Sequence, residues 1–357
     1  MKALIVGAGL TGATVARGLR DAGWAVTVID KRPHIAGNCY DEVVDGQLVN
    51  RYGGHIFHTA SEVVRAFVQR FATWRPITHL KLATVGASVY SFPINLLTLH
   101  QLWGVLTAEE AAAELERRRQ PQADPHANAE AWCLHTIGPE LYETFIKWYT
   151  RKQWGREPST LPASIVRRVP VRLTWDARCF SDPFEAVPVG GYTAMVAAML
   201  EGCQVHLEAD YLADRARWDA GADLTVYTGP IDALYGYRYG PLAYRSLTFA
   251  YATGPSLGID TMNYPSGRVP WTRRVDFAQI RRESHPQHVV MTETPAAEGE
   301  PMYPVRDAES TARLARYEAL AAAEPRLRVA GRLGAYQYLD MHQAIGAGLK
   351  LARTLCA

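Results

Sequence analysis

The stretch Ala3-Leu-Ile-Val6-Gly7-Ala-Gly9-Leu-Thr-Gly12, continued by Ala13 to Ala22 and then by Ala25-Val-Thr-Val-Ile29-Asp30, decides the fold. A short apolar run predicts a strand, the glycines a tight turn, Ala13 to Ala22 a helix, and the β-branched run a second strand. Gly7-x-Gly9-x-x-Gly12 therefore follows a strand directly and opens a helix, and the next strand ends in an acid. That is the context a dinucleotide fingerprint requires. The glycines let the backbone turn sharply and approach a pyrophosphate, while the helix N-terminus offers unpaired N–H groups to the anion. Asp30 is placed to accept hydrogen bonds from a ribose, and a carboxylate there disfavours a 2′-phosphate. The expected cofactor contacts are Gly7, Gly9, Gly12, Asp30 and the neighbouring Lys31. The fingerprint does not separate FAD from NAD.

Outward from this turn, the bulk properties are those of an ordinary soluble enzyme. The 357 residues are enough for one large or two to three smaller domains. Hydrophobic residues make up 48% and charged residues 21%, with a formal net charge of +2. Near-neutrality gives no reason to expect nucleic acid or an anionic membrane as partner, so anion binding must come from locally placed arginines. Five scattered cysteines without a CxxC pair argue against a disulfide framework and against a zinc site. The opening apolar run is too short for a signal segment, and no later run reaches the ~18 residues of a spanning helix. A cytoplasmic location without a metal is expected.

Further along, Thr107 to Gln120 reads as a helix with acids early and bases late, and Pro121 to Asn128 as a polar loop. Ala129 to Thr150 reads as helical again, so residues from roughly 95 to 150 form a helical insert. Short runs at Val166–Val171, Leu247–Ala252 and His288–Thr292 lie between prolines and glycines, the texture of an antiparallel sheet. Thr193 to Leu200 predicts a helix, Gln204–Leu207 and Leu224–Tyr227 strands, Arg326–Val329 a strand, and Met341 to Leu355 a helix with one apolar face.

Two features tilt the cofactor towards FAD by resemblance to flavoproteins. Gly37-Asn38 resembles their second phosphate-approaching loop, and Ala330-Gly331-Arg332 resembles the segment that covers a flavin from the far end of the chain. From Tyr52-Gly-Gly-His55-Ile-Phe-His58-Thr59 onward, the chain closely resembles the bacterial UDP-galactopyranose mutases. The resemblance continues through Tyr149-Thr-Arg-Lys-Gln-Trp154-Gly155, Arg168-Val-Pro-Val-Arg172, Phe180-Ser-Asp182 and Pro188-Val-Gly-Gly-Tyr192. It extends to Tyr227-Thr-Gly-Pro-Ile-Asp232, Pro270-Trp271-Thr-Arg273, Tyr303-Pro-Val305 and Tyr338-Leu-Asp340-Met-His342-Gln343. These blocks keep the family's order over nearly the whole chain.

The resemblance implies an isomerase (an intramolecular transferase) that contracts and expands the ring of UDP-galactose through an adduct between the reduced flavin N5 and the sugar. FAD would be active only when reduced, by an external reductant such as NAD(P)H. Tyr149 and Trp154 match the aromatic pair of a mobile nucleotide-covering loop, with Phe145 beside them. Arg168 and Arg273 match the diphosphate-gripping arginines, Tyr303 and Tyr338 the phosphate-contacting phenols, and Asn263 an asparagine near nucleotide and sugar. His58 lies in the segment that lines the flavin and is taken with the two arginines as catalytic. His55, Asn38, Arg332 and Asp340 join the cofactor set. On the residues alone, Trp154, Tyr303 and Tyr338 suit a packed core, the two arginines suit surface ion pairs, and His58 suits a satisfied core histidine.

The expected fold class is α/β, an FAD-binding Rossmann-like domain with a helical insert and an antiparallel β-sheet domain. The expected division assigns 1–77, 187–233 and 315–357 to the FAD-binding domain and 92–158 to the helical substrate-loop domain. The antiparallel sheet domain takes 78–91, 159–186 and 234–314. The chain departs from the family pattern at Cys179, where a tyrosine is usual, and this residue is counted with the substrate contacts. The alternatives are a mutase for another nucleotide sugar (N-acetyl, deoxy or heptose) or an amine-oxidase-type flavin oxidoreductase. Self-association as a homodimer is left open.

Overall fold

The computed structural model describes residues 1–167 and 169–357; Arg168 lies outside the described residues. The chain divides into two compact units. The first comprises Met1–Pro76, Asp182–Tyr244 and Tyr303–Ala357, the second Ile77–Ser181 and Arg245–Met302.

The first unit is built on a five-stranded parallel sheet. Its strands lie in the order Gln204–His206, Ala25–Ile29, Lys2–Val6, Leu224–Tyr227, Leu327–Val329. In chain order this is 3-2-1-4-5, the doubly wound arrangement, and it reverses direction between Lys2–Val6 and Leu224–Tyr227. Register follows directly: Val6 lies opposite Ile29 on one side and Tyr227 on the other. The central strands are apolar and covered on both faces, with Ile5, Val28 and Val226 fully buried, while the edge strand Gln204–His206 is exposed. Leu10–Asp21 packs closely on Met341–Cys356, and this is possible because small residues meet there. A Cβ on Gly18 would lie 2.6 Å from that of Ala352, and one on Gly348 would lie 2.8 Å from that of Thr14.

The second unit combines an antiparallel-rich sheet with helices. Its strands run in the order Tyr244–Gly254, His288–Ala296, Arg273–Asp276, Thr261–Asn263, Lys81–Val85, Ser88–Phe92. The helix Ala108–Arg118 begins with a capping box, Thr107 accepting from the Glu110 N–H while the Glu110 carboxylate accepts from the Thr107 N–H.

Two expectations need correction here. The helix read over 129–150 is interrupted: Ala129–Thr136 ends, Gly138 takes φ +79°, and a π-helical turn Tyr142–Ile146 leads into Lys147–Trp154. Glycine is required at the break, since a Cβ on Gly138 would sit 2.6 Å from the Arg118 carbonyl oxygen and the backbone there is left-handed. The run starting at Val166 is not a strand there. Ser164–Arg167 is a helical turn, with the Ala163 carbonyl accepting from the Arg167 N–H at 3.1 Å.

Candidate functional site

Glycine chemistry at the switch point of the parallel sheet makes the first part of the site. Gly7 takes φ +106°, and a Cβ there would lie 2.0 Å from the Thr228 hydroxyl, which itself donates to the Val6 carbonyl at 2.8 Å. A Cβ on Gly12 would lie 1.9 Å from the Gly7 carbonyl oxygen. Gly37, in the next loop, brings its own backbone to within 3.0 Å (Cβ position to Gly9 Cα). From the far end of the chain, Gly331 arrives within 3.5 Å of both Thr228 and Thr11, again measured from where its Cβ would be. Segments around residues 7–12, 37, 228 and 331 thus meet in one place, three of them through glycine. The helix beginning at Leu10 has no side-chain cap, so its first N–H groups remain available to an anion.

Asp30 is buried and holds this cradle closed. One carboxylate oxygen accepts from the Ala8 N–H at 2.8 Å and the other from the Arg32 N–H at 2.9 Å. Lys31, beside it, is exposed. Asn38 accepts from the Arg32 guanidinium at 3.0 Å, which pins the loop carrying Gly37. Cys39 completes that loop, and burial pushes its thiol up to about 12, with Arg332 opposing the shift. Arg332 is therefore brought to the Gly37 loop as well as to the aromatic pair below.

Five further expected residues of the first unit are His58, Tyr303, Tyr338, Asp340 and His55. The His58 Nδ1 is 2.6 Å from an Asp182 carboxylate oxygen, and its ring lies edge-on to His342 with centroids 4.9 Å apart. The His342 imidazole is held below its usual range, first by desolvation and then by the nearby His58. The rings of Tyr303 and Tyr338 stack at 5.3 Å and 11°, and the Arg332 guanidinium sits 4.9 Å above the Tyr338 ring. Asp340 caps the helix Met341–Cys356, its N–H donating to the Gln343 side chain at 2.9 Å. The His55 N–H donates to Asn50 and its carbonyl accepts from Tyr192.

In the second unit the sheet register lines up Asn263, Arg273 and Glu293. Asn263 is directly opposite Arg273, and Arg273 directly opposite Glu293. The Arg273 guanidinium pairs with the Glu293 carboxylate at 2.9 Å; its side chain keeps 24% exposure while that of Glu293 has none. A fork cation is thus held from behind by a buried anion with part of its face left open. Cys179 is buried, and its N–H donates to the His79 carbonyl at 3.1 Å. Phe180 stacks on the His79 ring, which is itself tied to Asp260.

Phe145 lies in the π-helical turn, 1% exposed, with its ring against Tyr90 and Phe92. Tyr149 and Trp154 stand on the helix Lys147–Trp154 rather than on a loop, and Trp154 is its last residue, 9% exposed. Gly155 ends the helix in the left-handed conformation at φ +65°. Sequence reading singled out this block for its aromatics. It missed what holds the helix: Lys152 donates to three main-chain carbonyls, and Arg245 donates to the Lys152 and Gln153 carbonyls. Asp182 as partner of His58 and Glu293 as partner of Arg273 were also missed. For Glu293 the one available signal is an acid placed directly after the run His288–Thr292, with Val289, Val290 and Met291 before it. Among the described residues no group of three His, Cys, Asp or Glu is placed to hold a metal, and no helix is long and apolar enough to cross a membrane.

Comparison with known proteins places this arrangement. Residues 144–338 match the family model for UDP-galactopyranose mutase, and residues 5–71 that for an NAD(P)-binding Rossmann-like domain. A Klebsiella pneumoniae protein named "Probable UDP-galactopyranose mutase" is 40% identical, over 98% of this chain and 93% of its own. The dTDP-fucopyranose mutase of Escherichia coli is 35% identical over 99% of this chain and 97% of its own. A crystal structure of reduced UDP-galactopyranose mutase superposes with a TM-score of 0.79 at 16% identity, covering 99% of this chain and 95% of that one, so the fold is shared throughout. Parallel sheet, glycine cradle and the Asn263–Arg273–Glu293 row thus lie within one continuous likeness, and the chain belongs to the UDP-galactopyranose mutase family, a family of isomerases.

Proposed function

We propose that the chain binds FAD in its first unit and, with the flavin reduced, interconverts the pyranose and furanose forms of UDP-galactose. The observation that carries this reading is the 40% identity with a protein named as such a mutase, sustained over 98% of the chain. The cradle fits the cofactor, since Gly7, Gly12 and Gly37 let the segments pack closely around a helix start whose first N–H groups have no side-chain cap and can face a pyrophosphate. Reduced flavin supplies the nucleophile for exchange at the anomeric carbon.

The protein's own groups then have three tasks. Asp30 has lone pairs to spare for a ribose hydroxyl, with Lys31, Asn38 and His55 around the same cofactor. His58, oriented by Asp182, is the imidazole assigned to the flavin, and Arg332 and Asp340 belong to the closing segment. Arg273 balances the charge that grows on the departing diphosphate, the task for which a guanidinium fork held by Glu293 is suited. Arg168 is assigned the same task from its sequence block alone. Tyr303 and Tyr338 offer phenol donors to phosphate, Trp154 and Tyr149 an aromatic seat for the base, Asn263 an amide for nucleotide or sugar, and Phe145 the packing behind that seat. Residues 92–158 are assigned to substrate binding as a helical segment. Water exclusion protects the reaction from hydrolysis.

A second reading is favoured by the likeness to a dTDP-fucopyranose mutase and by Cys179: a mutase for a different nucleotide sugar. Anaerobic incubation with dithionite and a panel of UDP- and dTDP-sugars, resolved by chromatography, separates the two. Conversion of UDP-galactose to its furanose isomer, dependent on reduction, is expected. Conversion of dTDP-sugars alone selects the second reading, and no ring isomerisation of any sugar overturns both. NAD(P)H in place of dithionite tests the assigned reductant.

A further inference from the structure

The half-buried Lys152 side chain ends against three main-chain carbonyls, its ammonium donating to those of Tyr264 at 2.6 Å, Trp271 at 2.7 Å and Val269 at 3.2 Å. All three belong to the turn that joins Thr261–Asn263 to Arg273–Asp276. Lys152 itself stands on the helix that carries Tyr149 and Trp154. An ammonium has three donors, and here each is matched to one carbonyl. The turn is closed at its base by the Tyr264 N–H donating to the Thr272 carbonyl at 2.8 Å, and the ammonium binds carbonyls on both sides of it.

We propose that Lys152 is a positioning residue for nucleotide binding: its ammonium fixes the aromatic helix Lys147–Trp154 against the turn between Asn263 and Arg273. The inference rests on the reading of these residues as the nucleotide and diphosphate contacts. Arg245 reinforces the same helix end, donating to the Lys152 and Gln153 carbonyls at 3.4 and 3.1 Å, and its guanidinium would meet a Cβ on Gly155 at 2.9 Å. Aromatic helix and cationic strand start are thereby one construction, and its keystone is a group that can lose its charge.

Among the described residues no carboxylate forms an ion pair with the ammonium. Nearby charges have other partners: Lys147 pairs with Glu143, Arg151 with Glu157 and Arg273 with Glu293, while Arg245 donates to carbonyls of the same helix. Burial accordingly lowers Lys152 from 10.5 to about 8. Below that pH the amine is charged and donates three bonds. Above it a neutral amine has two donors for three carbonyls, and the positive charge near a diphosphate contact is gone. Nucleotide binding should therefore weaken as pH rises through about 8, and binding near that pH should take up a proton.

The test uses full-length, oxidised, FAD-loaded protein and calorimetry with free UDP between pH about 7 and about 9, bracketing the lowered value. The native protein is expected to lose several-fold in affinity across that range, with proton uptake near pH 8 seen as a dependence of the heat on buffer ionisation enthalpy. Lys152→Met is expected to bind about tenfold more weakly at pH 7, with no inflection and no proton uptake. Lys152→Arg, charged throughout, is expected to bind within a few-fold of native and to lack the inflection. A flat native profile overturns the inference even if Lys152→Met fails to fold; so does native affinity in Lys152→Met, or an inflection that survives in it. Arg273→Ala and Trp154→Ala, measured alongside, separate the two levels. If both leave UDP affinity unchanged, the site reading fails; if both weaken it and Lys152→Met does not, only the Lys152 inference fails.

Discussion

Arg273→Ala should injure the protein twice, and the two injuries can be separated. The first is structural. Glu293 has no exposed side-chain surface and faces Arg273 at 2.9 Å, so removing the guanidinium leaves an uncompensated buried carboxylate. Breaking such a pair from one side costs about 3–5 kcal/mol of stability, a large part of a typical folding free energy. The second is chemical. The 24% of Arg273 that remains open is the part available to a diphosphate, and losing one contact to growing charge removes roughly 2–4 kcal/mol of transition-state stabilisation. That corresponds to about 30- to 1,000-fold in kcat. Arg273→Ala/Glu293→Gln removes the orphaned charge without restoring the cation. Urea unfolding should show the single variant markedly destabilised and the double variant largely recovered. Anaerobic assays on reduced enzyme should show both equally slow. If the double variant regains turnover along with stability, Arg273 matters only as the counter-ion of Glu293, and its assignment to the diphosphate is wrong.

Gly12→Ala places a methyl group 1.9 Å from the Gly7 carbonyl oxygen, so a folded variant should fail to take up FAD on reconstitution, read by flavin absorbance; undiminished uptake would remove the cradle argument. Trp154→Ala should weaken UDP binding by about 1–3 kcal/mol, the usual worth of an aromatic stacked on a base, measured by calorimetry; no change would return Trp154 to simple packing. Burial lowers His79 from 6.5 to about 4, so between those values the unfolded chain binds more protons than the folded one. Stability should fall by roughly 3 kcal/mol as pH drops from 6.5 to 4, with His79→Asn losing less over the same range by urea titration. Cys179→Tyr should raise kcat/KM for UDP-galactose relative to bulkier nucleotide sugars; unchanged selectivity would place Cys179 outside substrate recognition.

What could be read from the chain divides along a physical line. The strand–turn–helix–strand of residues 2–30 was legible because each piece is specified locally, by β-branched runs, by glycines where no Cβ fits, and by one acid. Leu224–Tyr227 and the terminal helix were legible for the same reason. The break at Gly138 was not, because the close approach that requires glycine there is to the Arg118 carbonyl, delivered by another helix. The run at 166 misled because β-branched residues suit a strand only where a partner strand is supplied. At the site, Arg273 and the two stacked tyrosines were singled out by the resemblance of their blocks, since on its own an arginine suits an ion pair and a tyrosine a packed core. Partners were not singled out. Asp182 is 124 positions from His58, and the three carbonyls that hold Lys152 have no side-chain signature at all. The small helix–turn contacts that orient a site are invisible when their acceptors are backbone.

The order of strands in the parallel sheet has a consequence for how the protein is made. Lys2–Val6 and its glycine turn emerge first, yet their neighbour Leu224–Tyr227 is more than two hundred residues away in the chain, and Leu327–Val329 and the helix packed on Leu10–Asp21 come later still. At roughly 5–20 residues per second, the nascent turn waits on the order of tens of seconds before the Thr228 and Gly331 backbones arrive to face it. Meanwhile all of Ile77–Ser181 and Arg245–Met302 is synthesised and can compact on its own contacts. The glycine cradle is therefore completed only late in synthesis, and a chain severed before residue 327 would lack the Gly331 segment that faces it.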